Sequence, residues 1–349
     1  MSQPPCPEHQ LTEALRAFER NGGNASAAAR ELDIPRETLR RRVYQAKKLP
    51  QGKTEAMEFM VPLLPPGDFS YAELKQQRMA MFTRKHAAER ARRWVPITMK
   101  SDAPMALVML GDPHVDDDGC NWPLLERDTQ IICRTPGMLA GNLGDTQNNW
   151  VGRLIRLYSK QSTSHSQAWT LVEGWLNELK DNLLFLVRGN HDLWSGSSDP
   201  LNWIMRASPA LDQAWQAKME LQFPNGEHVR IWVSHDFPGH SQYNDLHGLK
   251  KAHLWQQSGA HILGAGHRHI WGLQQFEDTE RDRVVSLVRA RGYKYIDHYA
   301  EELGHGAQQY GAAMTVVITP GAAQDRRFQW FLDVEEAADY LTFKRKKFK

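Results

Sequence analysis

Five short clusters carry side chains of the kind that hold metal ions: Gly111-Asp112-Pro113-His114, Gly144-Asp145, Arg188-Gly189-Asn190-His191-Asp192, the single His235, and Gly266-His267-Arg268-His269. In chain order they offer Asp, His, Asp, Asn, His, His and His, with His191 besides. Two divalent cations roughly 3.5 to 4 Å apart need a bridging carboxylate, neutral imidazoles and oxygen donors, and they lower the pKa of water. These residue types supply that set, and the glycines beside them let the backbone turn sharply. Each cluster alone is a weak signal. A D-x-H triplet arises by chance, G-D is common in turns, and a lone histidine such as His235 is more often structural. The G-N-H-D and G-H-x-H clusters are stronger, and the five in this order are specific.

Something must bring them together. Apolar runs at 105–110, 138–143, 183–187, 229–234 and 261–265 read as strands, and helical stretches separate them, the signature of alternating β and α units. Each polar cluster sits just past the carboxyl end of one run, where α/β sheets place their ligands.

On these motifs, residues 105–269 resemble the calcineurin-like metallophosphoesterase superfamily. The resemblance implies an α/β fold, a β-sandwich flanked by helices, holding two divalent metal ions. Manganese is preferred on that ground, while iron, zinc or nickel would also suit mixed histidine and carboxylate ligands. It implies that Asp112, His114 and His269 hold the first ion, that Asn190, His235 and His267 hold the second, and that Asp145 bridges both. It further implies a metal-bound hydroxide as nucleophile, His191 as the general acid that protonates the leaving alkoxide, and Arg188 as a clamp on a phosphate oxygen. The chain also departs from the pattern. Three residues beyond Asp145, protein phosphatases carry an aspartate and purple acid phosphatases a metal-binding tyrosine; here Asn148 stands, which disfavours both. Asp116, Asp117 and Asp118 read as a solvated acidic loop. Trp150, Trp194, Trp203 and Trp271 read as core packing, with stacking on bases as the alternative.

The front of the chain is different in kind. Residues 1–100 carry 18 Lys/Arg against 11 Asp/Glu, and residues 101–349 carry 25 against 30. A basic front end suggests a polyanionic partner, and DNA is the expected one. Leu11, Ala14, Leu15 and Phe18 have helical spacing, Asn21-Gly22-Gly23 breaks the helix, Asn24 can cap a second one, and Pro35 suits the first turn of a third. Residues 9–48 resemble a Fis-type helix-turn-helix, although Asp33 replaces the usual glycine of the turn. That resemblance places Arg36, Thr38, Arg40, Arg41 and Arg42 on the helix that would enter a major groove. A basic hairpin used for oligomerisation is the alternative, which leaves room for a homo-oligomer. Residues 49–68, with Pro50, Gly52, Pro62, Pro65, Pro66 and Gly67, read as a linker, and 71–94 as a charged helix. The expected organisation is therefore a helix-turn-helix module at 1–48, linker and helix at 49–100, and a metallophosphoesterase domain at 101–349.

Three widely spaced cysteines with no C-x-x-C pairing exclude a disulfide framework or thiol chemistry, and no apolar run spans a bilayer. The expectation is a cytoplasmic enzyme of a bacterium or its phage, with no membrane partner, that hydrolyses a phosphoester, as a nuclease or phosphodiesterase brought to DNA. Two rivals stay open at this level. One is a phosphatase or cyclic-nucleotide phosphodiesterase for small molecules; the other is a DNA-binding regulator with a vestigial metal site.

Overall fold

The computed structural model describes residues 6–49, 68–196, 199–256, 258–296 and 309–348. The chain forms two compact units, Met1–Glu73 and Leu74–Lys349. The proline- and glycine-rich stretch 50–67 expected to be a linker lies outside the described residues.

In the first unit, helices α1 (Glu8–Arg20), α2 (Ala25–Glu31) and α3 (Arg36–Lys48) pack around Ala14, Ala17, Ala28, Ala29, Leu39 and Val43. Small residues on α1 and α2 let the helices approach closely, and Leu39 and Val43 fill the centre. Asn24 caps α2 as expected, its Oδ1 accepting from Ser26 N–H at 3.0 Å and Ala27 N–H at 3.2 Å. Asp33 has φ 50° in the turn between α2 and α3. Aspartate tolerates this left-handed conformation better than most residues, so the turn forms without the glycine usual there.

Helix α4 (Tyr71–Ala91), all but its first three residues in the second unit, buries none of its residues. Then come β1 (Val95–Thr98), β2 (Met105–Leu110), α5 (Trp122–Arg134), β3 (Met138–Asn142), α6 (His165–Leu179) and β4 (Leu183–Val187). One-turn helices α7 (Asn190–Leu193) and α8 (Leu201–Ile204) lead to β5 (Leu211–Gln213), β6 (Gln216–Gln222) and β7 (His228–Ser234). Helix α9 (His247–Trp255), β8 (Ile262–Ala265), β9 (Gly272–Asp278), β10 (Arg283–Arg289), β11 (Ala313–Ile318), α10 (Gln324–Arg327), β12 (Phe328–Phe331) and α11 (Val334–Phe348) complete it. Among the described residues, no helix is long and apolar enough to cross a membrane.

The strands form two six-stranded sheets, in the orders β1-β6-β7-β8-β10-β9 and β12-β11-β2-β3-β4-β5. Side-chain alternation explains how they stack. Met105, Leu107 and Met109 on one face of β2 join Ala217, Met219, Ile231 and Val233 of the other sheet in a shared core. Ala106, Val108 and Leu110 on the opposite face pack under α5, α6 and α11. The other sheet turns Trp232, Leu263 and Leu287 outward onto α9. The result is a β-sandwich between helical layers, and strands buried on both faces explain why the sequence shows unbroken apolar runs. Strand β1 was not expected: it falls within the segment read as linker and helix, and pairs with β6 at the sheet edge. Pro96 hid it, because proline is tolerated only on such edges. The basic run at the end of the chain belongs to α11, where Arg345 donates to the Pro104 carbonyl at 2.7 Å.

His261, just before β8, is buried, and its Nδ1 accepts from Arg230 N–H at 3.0 Å, so the ring is neutral there. Burial, with Arg283, Arg327, His228 and Arg230 around it, pushes its pKa down to about 3. A folded value below that of the free side chain means its contribution is intact above about pH 6.5 and is lost as pH falls toward 3. At pH 5 the loss amounts to roughly 2 kcal/mol. Urea unfolding at pH 7.5 and pH 5 should show His261→Gln, which keeps an acceptor for Arg230, losing less stability than the parent on acidification. Equal losses would remove His261 as the cause.

Candidate metal centre

Strands β2, β3 and β4 run parallel in one sheet, and β7 and β8 run parallel in the other. Their carboxyl ends deliver the five clusters, and the structure brings the candidate ligands together. Asp112, His114 and His269 form one group; Asp145, His235 and His267 form another; His114, Asp145 and His191 form a third, with the ligand atoms of each group within 4.8 Å of one another. Asp145 is common to the last two. Asn190 joins the second group, its Oδ1 3.1 Å from His235 Nε2.

The polarity of these contacts matters more than their proximity. His235 Nδ1–H donates to the Leu143 carbonyl at 2.8 Å, which leaves a lone pair on Nε2. Around that atom lie Asn190 Oδ1 at 3.1 Å, Asp145 Oδ2 at 3.2 Å and His267 Nδ1 at 3.0 Å. Two imidazole nitrogens, a carboxylate oxygen and an amide oxygen thus converge within hydrogen-bonding distance of Nε2, a donor set that suits a cation. In the other group, Asp112 Oδ1 and both ring nitrogens of His114 are buried without a hydrogen-bond partner among the described residues. Buried polar atoms are rarely left so. Burial opposes a charge on His235, but the Asp145 and Asp112 carboxylates outweigh it and push its pKa up to about 9. Asp145 is buried too, yet His235 and His191 hold its carboxyl far below the usual range. The field of the site favours positive charge, and these residues fit divalent cations.

The backbone is bent to serve this arrangement. Asp112, His114, Asp145, His267 and His269 have φ between 22° and 71°, the left-handed region. At about 1 kcal/mol or more each, such conformations together rival the net stability of a typical domain, so surrounding contacts must offset them. Asp112 Oδ2 accepts from His267 N–H at 2.7 Å, and Asp145 Oδ1 from His191 N–H at 2.9 Å. Asp192 is fully buried and accepts from Thr146 N–H at 3.1 Å and Gly189 N–H at 2.9 Å, stitching the third cluster to the second. Glycine is required at 144 and 189: a Cβ at Gly144 would strike Gly189 and His235, and one at Gly189 would strike the Asp145 carboxylate.

His191 donates from Nδ1 to the Asn148 carbonyl at 2.5 Å, so its Nε2 is the free edge, 3.9 Å from Asp145 Oδ2. Burial lowers its pKa against the raising influence of Asp145 and the Asn148 carbonyl. The main chain of Asn148 therefore holds the ring. Asn148 is in turn held by the aspartates read from sequence as a solvated loop. Asp116 is buried, accepts from Asn148 N–H at 2.7 Å, and has its carboxyl pushed up to about 6 by burial. Asp117 accepts from Asn148 Nδ2–H at 2.7 Å and pairs with Lys294 at 3.1 Å. Only Asp118 is exposed. The acidic run is thus corrected to a scaffold, which charge count alone could not reveal.

Arg188 is also corrected. Its guanidinium, 7% exposed, bonds Asp212 through Nε and Nη2 at 3.2 and 2.7 Å, and Asp199 and Asn202 through Nη1, both at 2.8 Å. It joins β4 to β5 and α8, and diverting it to a phosphate would leave the buried Asp199 carboxylate unpaired. Sequence reading missed Arg289, fully buried, whose donors go to Asp236 at 2.9 Å and to the Gly266 carbonyl. It ties the loop carrying His235 to the loop carrying His267. Its place at the end of an apolar strand, β10, gives no hint of that.

On α3, Arg36, Arg40 and Arg41 are exposed, while Thr38 and Arg42 are half-buried. Tyr44, 60% exposed with Lys48 over its ring at 4.2 Å, shares the solvent-facing side.

The family model described as Bacterial regulatory protein, Fis family, matches residues 13–45, so the first unit contains a Fis-type helix-turn-helix. No curated protein matches the chain. Among solved structures the chain is similar to Vps29 of Chaetomium thermophilum, at 12% identity and TM-score 0.34 over 65% of this chain and 95% of that one. It is also similar to nuclease MPE of Pseudomonas putida, at 17% identity and TM-score 0.32 over 69% and 88%. A third is TT1561 of Thermus thermophilus, at 9% identity and TM-score 0.37 over 66% and 99%.

Proposed function

We propose that this protein is a metal-dependent phosphoesterase that cleaves phosphodiesters in DNA. The observation that carries the reading is the convergence of Asn190 Oδ1, Asp145 Oδ2 and His267 Nδ1 on His235 Nε2, beside a second group whose Asp112 Oδ1 and His114 ring nitrogens have no hydrogen-bond partner among the described residues. Asp112, His114 and His269 would hold one divalent ion, Asn190, His235 and His267 the other, and Asp145 would lie between them. Bound there, two such ions, with manganese preferred by family resemblance, would activate water and neutralise charge on the phosphate. His191, its ring fixed through Nδ1, would present Nε2 to the departing oxygen and, when protonated to the imidazolium, give it the Nε2 proton and return to the neutral ring. Asp116, Asp117 and Asn148 hold that ring in place. The left-handed backbone of five site residues favours a working site over a vestigial one.

The helix-turn-helix would bring the enzyme to its substrate, with Arg36, Arg40 and Arg41 meeting phosphates and base edges. The test is manganese-dependent cleavage of single- and double-stranded DNA and of bis-p-nitrophenyl phosphate by the intact protein and by Arg40→Glu/Arg41→Glu. Cleavage of all three, with only the DNA rates reduced by the charge reversal, is the expected pattern. Hydrolysis of the small diester alone, unaffected by the reversal, would transfer the reading to small-molecule substrates. Absence of turnover with manganese, iron, zinc and nickel would end the enzymatic reading.

A further inference from the structure

The ring of His191 is covered by aromatic side chains that ion binding does not need. Trp194 lies with its ring centroid 4.2 Å from that of His191, tilted by 42°. Trp150 meets the same imidazole edge-on at 5.1 Å and stands 6.3 Å from Trp194. Their surroundings differ. Trp150 is 9% exposed, and its indole N–H donates to Gln161 at 2.9 Å, so it is part of the packed wall. Trp194 is half-buried, and the preceding Leu193 is 38% exposed.

We propose that Trp194 is a stacking platform for the planar base of the nucleoside that leaves when the phosphoester is cut. This rests on the phosphoesterase reading and specifies its substrate class. The geometry supplies the side of the phosphate. With Nδ1 tied to Asn148, the only ring nitrogen of His191 able to serve the leaving oxygen is Nε2, and Trp194 borders the same ring. A group that departs past His191 therefore passes the indole. An indole is sequence-tolerant, since every base has a π-face, so the platform selects for a base without selecting which one. Trp194 follows α7, which carries Asn190 and His191, so the platform and the acid are presented by one rigid turn whose Asp192 is anchored to Gly189 and Thr146. Trp215 packs against His235 at 5.1 Å, but its N–H bonds the Asp236 carbonyl at 3.3 Å, which gives it a structural task of its own.

Binding separates this inference from the reading beneath it. Calorimetric titration of the full-length, manganese-loaded protein with 2′-deoxyadenosine 5′-monophosphate and with 2-deoxyribose 5-phosphate compares the same phosphate with and without a base. The parent should favour the nucleotide about tenfold. Trp194→Leu should erase that preference while leaving the sugar phosphate and the metal content unchanged, and Trp194→Phe should restore most of it. Equal affinity of the parent for both ligands, a preference that survives Trp194→Leu, or an equal weakening of both ligands would overturn the proposal. A companion assay follows cleavage of a single-stranded oligonucleotide with and without the base at the leaving nucleotide. If nothing is hydrolysed while the base preference and its loss in Trp194→Leu persist, the phosphoesterase reading fails and what stands is a base-stacking residue of a nucleotide-binding site, without a leaving group. If cleavage occurs with no dependence on that base, the reverse holds.

Discussion

Asp145→Asn should remove both metal ions and lower hydrolysis by at least about a thousandfold, with the fold intact. Asp145 touches both sides of the site: Oδ2 lies 3.2 Å from His235 Nε2, and Oδ1 accepts from His191 N–H at 2.9 Å. Asparagine is nearly isosteric and can keep the second contact through its own oxygen, so the His191 loop retains its anchor. The first contact changes sign. The residue loses its charge, and the amide either turns an N–H toward the lone pairs that should meet the cations or offers a weaker neutral oxygen. Elemental analysis after dialysis, with circular dichroism to verify the fold, measures this directly. Retention of two tightly held ions with normal turnover would show that Asp145 does not bridge.

The second large effect is expected at His191, and its size depends on the leaving group. His191→Ala should keep its metal ions, because the main-chain N–H that bonds Asp145 is unchanged and the ring is outside the first and second ligand groups. General-acid assistance is worth roughly 10² to 10⁴ in rate, and it matters most when the departing oxygen is strongly basic. Cleavage of DNA, which expels an alkoxide, should therefore fall by that amount. Cleavage of bis-p-nitrophenyl phosphate, which expels a stable phenolate, should fall far less. Steady-state rates on both substrates give the ratio. A loss of equal size on both would assign His191 to binding or to loop structure rather than to proton transfer.

Both effects rest on residues that the sequence already singled out as candidates, and the reason is chemical. Ligands for cations come from a short list of side chains, and the glycines that permit a strained approach stand beside them, so Gly144-Asp145 and Gly189-Asn190-His191-Asp192 carry their signal in one dimension. The strands that position them were equally legible, because β2, β3, β4, β7 and β8 are covered on both faces and their runs are unbroken. The same holds for α2 and α3 of the helix-turn-helix, where Asn24, the paired alanines and Leu39 are local signals. What sequence could not decide was the partner of each charge. Arg188 and the run Asp116 to Asp118 have the composition of a phosphate clamp and a solvated loop. Arg188 is instead neutralised by Asp199 and Asp212, and Asp116 and Asp117 meet Asn148 more than thirty residues away. Arg289, β1 on its sheet edge and the exposure of Trp194 were hidden for the same reason. The residue types that can do the chemistry are a property of the chain itself, while which charges are already satisfied depends on contacts between distant segments, and only the tertiary structure decides those.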